Sequence, residues 1–271
     1  MKIARFLNEC ALLGLLCLPA RAALLDESDP LQTESDETSA RISLPSLNAP
    51  DSLGSLLDAS AQQLDLAAKI DEARAEIARN PDNARPYRLL GELLTRANRL
   101  DEAAQAYWNA ARLQPLNAGP LHYFGFTLLA LGDHRNGLEI YKQLESRHPD
   151  ARKVLFNLGS AYYGIKDYEK AAQYLNKFIA TSRREDPRAS YNLGIVHLAQ
   201  NQPEKAIPLL EKSLERMVSN PFVLAALIRA NHAADRDRIA KTLLETADKR
   251  FGLDAFNRIL DAETPPAFLD R

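Results

Sequence analysis

Cysteine is almost missing from this chain of 271 residues: Cys10 and Cys17 are the only two. Beyond them the chain has no disulfide, no thiolate metal ligand and no cysteine nucleophile, so its stability must come from packing. The five histidines, His122, His134, His148, His197 and His232, are scattered, with no pair four residues apart and no H-E-x-x-H. A zinc site therefore has no support. The phosphate loop G-x-x-x-x-G-K-[ST], a strand-flanked G-x-G-x-x-G and the nucleophile elbow G-x-S-x-G are absent as well, which removes the usual footing for nucleotide, dinucleotide and serine-hydrolase chemistry. Carboxylate pairs such as Asp71-Glu72 and Asp101-Glu102 begin helix-like stretches, where negative charge complements the helix dipole. The chain reads as a non-enzyme with no cofactor and no metal. A formal net charge of -2 gives no overall drive toward nucleic acid or an anionic membrane.

What is present begins with a leader-like start. Lys2 and Arg5 precede the apolar run Cys10 to Leu18, followed by Pro19 and Ala20-Arg21-Ala22. Basic, apolar and small-residue parts in that order read as a secretory signal peptide over 1–22, cleaved after Ala22. Retention as an anchor is the rival reading, but the nine apolar residues fall short of the roughly 20 a spanning helix needs. Leu16 before Cys17 argues against lipidation. The expected location is periplasmic or secreted, with no membrane span in the mature form. Residues 23–60 follow, rich in Ser, Pro, Asp and Glu, with eight acidic residues against Arg41. Such a composition predicts an acidic disordered linker. Residues 61–271 retain 30 basic and 27 acidic residues, so a mildly basic remainder stands beside an acidic tether.

From residue 84 a period governs the chain. Leu90-Gly91, Phe124-Gly125, Leu158-Gly159 and Leu193-Gly194 recur at spacings of 34, 34 and 35. Ala103, Gly137, Ala171, Ala206 and Ala240 keep the same clock, each followed four residues later by Tyr107, Tyr141, Leu175, Leu210 and Leu244. A small residue at a helix crossing lets two backbones approach, and the large one fills the groove beside it. One hairpin cannot bury its own apolar face, so the repeat predicts stacked helix pairs sharing a continuous core. Pro81, Pro115, Pro149, Pro187 and Pro221 mark the unit boundaries.

This pattern resembles that of tetratricopeptide repeats, W-x2-L-G-x2-Y followed by A-x3-F-x2-A and P. Tyr87, Leu90, Gly91, Leu94, Ala103, Tyr107, Ala110 and Pro115 carry it in one unit, and Leu155, Leu158, Gly159, Tyr162, Ala171, Leu175 and Phe178 in another. The resemblance implies an all-α, right-handed α-solenoid of stacked antiparallel helix hairpins. About four units are expected, 84–117, 118–151, 152–186 and 187–220, with a degenerate fifth over 221–252 in which Ile228 replaces the glycine. Leu66, Ile70, Ala73 and Ile77 mark 61–83 as an N-terminal packing helix. Residues 253–271 read as a C-terminal cap and tail, with a short helix from Leu253 to Leu260.

The resemblance further implies that the first helix of each unit lines a concave groove. Its register places Arg85, Arg88, Arg96, His122, Phe126, Lys153, Phe156, Tyr163, Arg188 and Tyr191 there as the candidate binding residues, and turns Glu92, Thr95, Gly119, Leu129, Ala130, Ser160, Gly164, Ile195, Leu198 and Ala199 toward the same side. Cations and aromatics of this kind suit an acidic and apolar protein or peptide segment. Trp108 has two readings, burial at a seam between repeats or a ligand anchor. Asn157 and Asn192 sit in a consensus Asn-Leu-Gly and read as structural. The family's carboxylate clamp is not reproduced, since only Asn157 and Arg188 match it. The expected function is an exported scaffold or adaptor of a bacterial envelope. The alternatives are an assembly factor for an outer-membrane secretion, pilus or polysaccharide system and, from another class, a small-ligand receptor or enzyme. The six acids across 26–37 make the linker a candidate occupant of the groove, the alternative being a solubilising spacer.

Overall fold

The computed structural model describes residues 53–182, 184–261 and 265–270. The leader 1–22, with both cysteines, and the acidic segment up to residue 52 lie outside the described residues. The described residues form twelve helices and no strand. In chain order they are α1 (Leu53–Arg79), α2 (Ala84–Arg96), α3 (Leu100–Leu113), α4 (Ala118–Ala130), α5 (His134–Arg147), α6 (Arg152–Gly164), α7 (Tyr168–Thr181), α8 (Pro187–Ala199), α9 (Pro203–Arg216), α10 (Pro221–Ala233), α11 (Asp237–Phe251) and α12 (Leu253–Leu260). The first helix starts at Leu53, inside the stretch whose composition reads as linker, so Asp71-Glu72 stand within this helix and not at a helix start. No proline occurs between Pro50 and Pro81, and the Leu- and Ala-rich sequence 53–79 is a good helix former that outweighs the acidic average of the longer segment.

The chain divides into two compact units, one ending at Val154 and the other running from Leu155 to Asp270. In the first, α1 to α5 pack each on the next. Leu94, Tyr107, Phe124, Leu128, Tyr141 and Leu144 form its buried interior. The glycine column is a steric requirement: a Cβ at Gly91 would stand 2.6 Å from Tyr107 Cε1, and one at Gly125 2.9 Å from Ile140 Cγ2. Trp108 is buried and packs against Phe124 at 5.5 Å between ring centroids, so the seam reading holds.

In the second unit, α7 to α11 likewise pack in sequence, and α12 folds back on both α10 and α11. A Cβ at Gly159 would meet Leu175 Cγ at 2.7 Å, and one at Gly194 would meet Leu210 Cδ2 at 2.8 Å. In the fifth repeat Ile228, standing where the other units have glycine, joins a cluster with Leu224, Ala225, Ala240, Ala247 and Phe256 of α12.

Two further columns share the period. The turn inside each helix pair carries one residue in the left-handed region, namely Asn98, Gly132, Lys166, Asn201 and Asp235. Carboxylate and carboxamide side chains cap exposed N–H groups at helix starts. Asn83, Asn117, Asp186 and Asn220 serve first helices, while Asp133 and Asp167 serve second helices.

Candidate functional site

The ten residues expected in a groove fall on both sides of the unit boundary. In the first unit Arg85 and Arg96 are exposed, and Arg88 is tied to Glu92, one turn on, at 2.5 Å. Lys153 is half-buried in the first turn of α6. His122 and Phe126, expected to be displayed, are instead buried, at 2% and 6% exposure. Tyr141 Oη lies 3.3 Å from His122 Nδ1 and donates to the His122 carbonyl, so this histidine belongs to the packing between α4 and α5. Helix α4 is apolar nearly all round, so its groove and core positions are buried alike.

In the second unit Phe156, Tyr163, Arg188 and Tyr191 come together on one face of α6 and α8, and residues 265–270 lie across it. Two carboxamides hold this segment by its main chain. Asn192 accepts from Phe268 N at 2.8 Å through Oδ1 and donates to the Phe268 carbonyl at 2.9 Å through Nδ2. Asn157 does the same for Asp270, at 2.8 Å and 2.6 Å. Ser160 Oγ donates to the Phe268 carbonyl at 2.7 Å and receives Asn192 Nδ2 at 3.1 Å, which fixes the carboxamide's orientation. Farther back, the hydroxyls of Tyr163 and Tyr191 donate to the carbonyls of Pro265 and Pro266, at 3.0 Å and 3.1 Å. Along α6 the contacts run from Asp270 at Asn157 to Pro265 at Tyr163, so the segment is antiparallel to the helix.

Side-chain contacts add to this main-chain grip. Phe268 sets its ring 4.7 Å from that of Tyr191 and packs against the cluster of Leu155, Phe156, Phe178 and Ala189. Arg188 lies over the Phe156 ring at 5.2 Å, with Nη2 2.7 Å from Asp186 and Nη1 3.1 Å from Asp270. Burial opposes its charge, but hydrogen bonds and charges from Asp186 and Asp270 outweigh that penalty and hold the guanidinium above its usual pKa. Burial also raises the Tyr163 and Tyr191 phenols; Tyr168 adds to it at Tyr163 and Tyr163 adds to it at Tyr191, against the opposing charge of Arg229. Both hydroxyls therefore remain protonated donors, the role the proline carbonyls require.

Sequence reasoning placed Arg188, Phe156, Ser160, Tyr163 and Tyr191 on this face but assigned Asn157 and Asn192 to the repeat framework. The signal that would have singled them out is their shared repeat position, 35 residues apart, beside groove positions on both sides. Chemically the arrangement offers paired donors and acceptors, aromatic surface and one cation, the groups that hold a peptide main chain and its side chains. Among the described residues no three His, Cys, Asp or Glu side chains group as a metal site would require.

The tetratricopeptide repeat family profile matches residues 125–187 and 178–221. The BBSome complex member BBS4 of Mus musculus is 26% identical over 128 residues, 47% of this chain and 24% of that protein. The N-alpha-acetyltransferase 16, NatA auxiliary subunit, of Homo sapiens is 28% identical over 131 residues, 48% of this chain and 15% of that protein. The chain thus spans a quarter or less of the length of these curated relatives. Among solved structures, a tetratricopeptide repeat protein from Parabacteroides merdae aligns with a TM-score of 0.62 at 18% identity, covering 73% of this chain and 80% of its own. Stacked helix pairs, the glycine and alanine columns and the matched profile agree: residues 125–221 carry tetratricopeptide repeats, and the fold is that of stacked tetratricopeptide-like helix pairs.

Proposed function

We propose that this protein is an exported scaffold or adaptor that binds a segment of another protein along the face of α6 and α8. The observation that carries this reading is the grip on residues 265–270. Asn157 and Asn192 meet both main-chain groups of alternate residues, which is how a surface holds an extended peptide whatever its sequence. The curated relatives are a complex member and an auxiliary subunit, and the same kind of role is proposed for this chain. Export rests on the leader-like residues 1–22 and the cysteine-free remainder. No described helix is long and apolar enough to cross a membrane.

Affinity capture from the producing cells' envelope tests this reading, comparing the full chain with its Asn157→Ala, Asn192→Ala double variant at matched melting behaviour. A polypeptide retained by the first and lost from the second is the expected result. Identical profiles would overturn it.

A further inference from the structure

The segment lying on α6 and α8 specifies what that face selects. We infer that the face is a receptor for extended segments of the form Pro-Pro-x-Phe-x-(Asp or Glu), and that residues 265–270 are the chain's own resident copy, which a partner segment of the same chemistry displaces. This rests on the proposed scaffold role and names its partner class.

Four observations build the specificity. The two carboxamides grip residues 268 and 270, and only an extended chain turns the N–H and C=O of alternate residues the same way. A helical occupant would have those groups committed internally. At 265 and 266 the described residues of the face meet the segment with hydroxyl donors to carbonyls. Proline fits there because it has no N–H to leave unsatisfied and its fixed φ prepares an extended approach. At 268 the ring of Tyr191 and the cluster around Phe156 and Phe178 call for an aromatic side chain. At 270 the half-buried Arg188 directs Nη1 to a carboxylate, and a basic residue would face that cation instead.

Every one of these contacts is made to atoms that an unattached segment of the same pattern would also present. The resident copy nevertheless has an advantage of linkage. A tether can supply about millimolar effective concentration, and an outside segment's apparent affinity falls by the fraction of molecules whose face is open. The acidic stretch 26–37 shares the negative charge but not the pattern, having no aromatic residue and Pro30 as its one proline.

The test is fluorescence anisotropy with a labelled peptide of residues 261–270, Asp-Ala-Glu-Thr-Pro-Pro-Ala-Phe-Leu-Asp. It is titrated with the full chain and with the full chain carrying Phe268→Ala and Asp270→Lys, which remove the resident segment's ring and carboxylate contacts and shift the face toward a vacated state without touching a helix. The vacated protein should bind at least about 10-fold more tightly than the wild type. Adding Asn157→Ala and Asn192→Ala should remove binding. A milder variant guards against misfolding: Arg188→Ala in the vacated protein should erase the preference for this peptide over one with Asn at the position of Asp270. Equal binding by wild-type and vacated proteins, or equal binding of a scrambled peptide, would overturn the inference. If envelope capture still depends on Asn157 and Asn192 while the peptide fails, the pattern falls and the scaffold reading stands. If both fail, both fall.

Discussion

A carboxamide carries a donor and an acceptor in one plane, matching the pair that an extended main chain presents at every second residue. Asn157 and Asn192 use that match, and hydrogen bonds of this kind contribute about 0.5–1.5 kcal/mol each. Replacing Asn192 by alanine removes both bonds to Phe268. Exchange of the Phe268 amide hydrogen should then rise about 10- to 100-fold, the factor corresponding to about 1–3 kcal/mol; unchanged protection would mean the ring holds the segment alone. A second residue-scale prediction concerns Lys166, whose φ is 65° in the turn where the preceding unit has Gly132 at 80°. A side chain in this left-handed region costs about 1–2 kcal/mol, which glycine avoids. Lys166→Gly should raise the denaturation midpoint by the equivalent of about 1 kcal/mol, and a lowered midpoint would show that the lysine side chain does more than occupy the turn.

At the scale of the helix pair, stability depends on how closely two axes approach. Gly159→Leu would drive a side chain into Leu175, since even a Cβ at residue 159 comes within 2.7 Å of it. Overpacking of this sort costs about 1–3 kcal/mol, so the melting temperature should fall by several degrees. An unshifted melt would place the helix crossing elsewhere. The crossing was legible in the sequence because sterics leave so few choices there: glycine or alanine meets a large residue once per repeat. His122 and Phe126 were less legible, because a register rule cannot tell a displayed position from a buried one on a helix that is apolar nearly all round. The role of Asn157 and Asn192 was hidden because the same Asn-Leu-Gly is also framework consensus, and their partners lie 113 and 76 residues away. Helix α8 also carries a pH-sensitive group. Burial lowers the pKa of His197, with the Lys205 charge acting in the same direction and hydrogen bonds to Gln202 and Gln200 opposing it. The unfolded chain then binds more protons, so the contribution is present above the unfolded value near 6.5 and is lost as pH falls through the lower folded value. Thermal melts at pH 7.5 and pH 5.0 should show a smaller acid loss for His197→Gln than for the wild type, and equal losses would remove the histidine from the account.

Within each compact unit helices contact their neighbours, and most of those contacts join elements adjacent in the chain. The segment 265–270 departs from that rule, because its hydrogen bonds to α6 and α8 close loops of 75 to 113 residues. Loop closure of that length carries an entropy cost that local helix pairing does not. The segment should therefore dock only after α6 to α12 have stacked, so that its contacts are absent from the folding transition state. This ordering has a kinetic consequence that a stability measurement alone would miss. Phe268→Ala removes the ring against Tyr191 and loosens the cluster around Phe156. If those contacts form last, the lost stability should appear almost wholly in the unfolding rate, because a contact missing from the transition state does not alter the climb from the unfolded side. Chevron measurements on the full chain should give a refolding limb superimposable on the wild type and an unfolding limb about 5- to 30-fold faster, corresponding to about 1–2 kcal/mol. A slowed refolding limb with an unchanged unfolding limb would mean that the segment helps nucleate the stack, and that the face of α6 and α8 is built around its resident segment rather than formed before it docks.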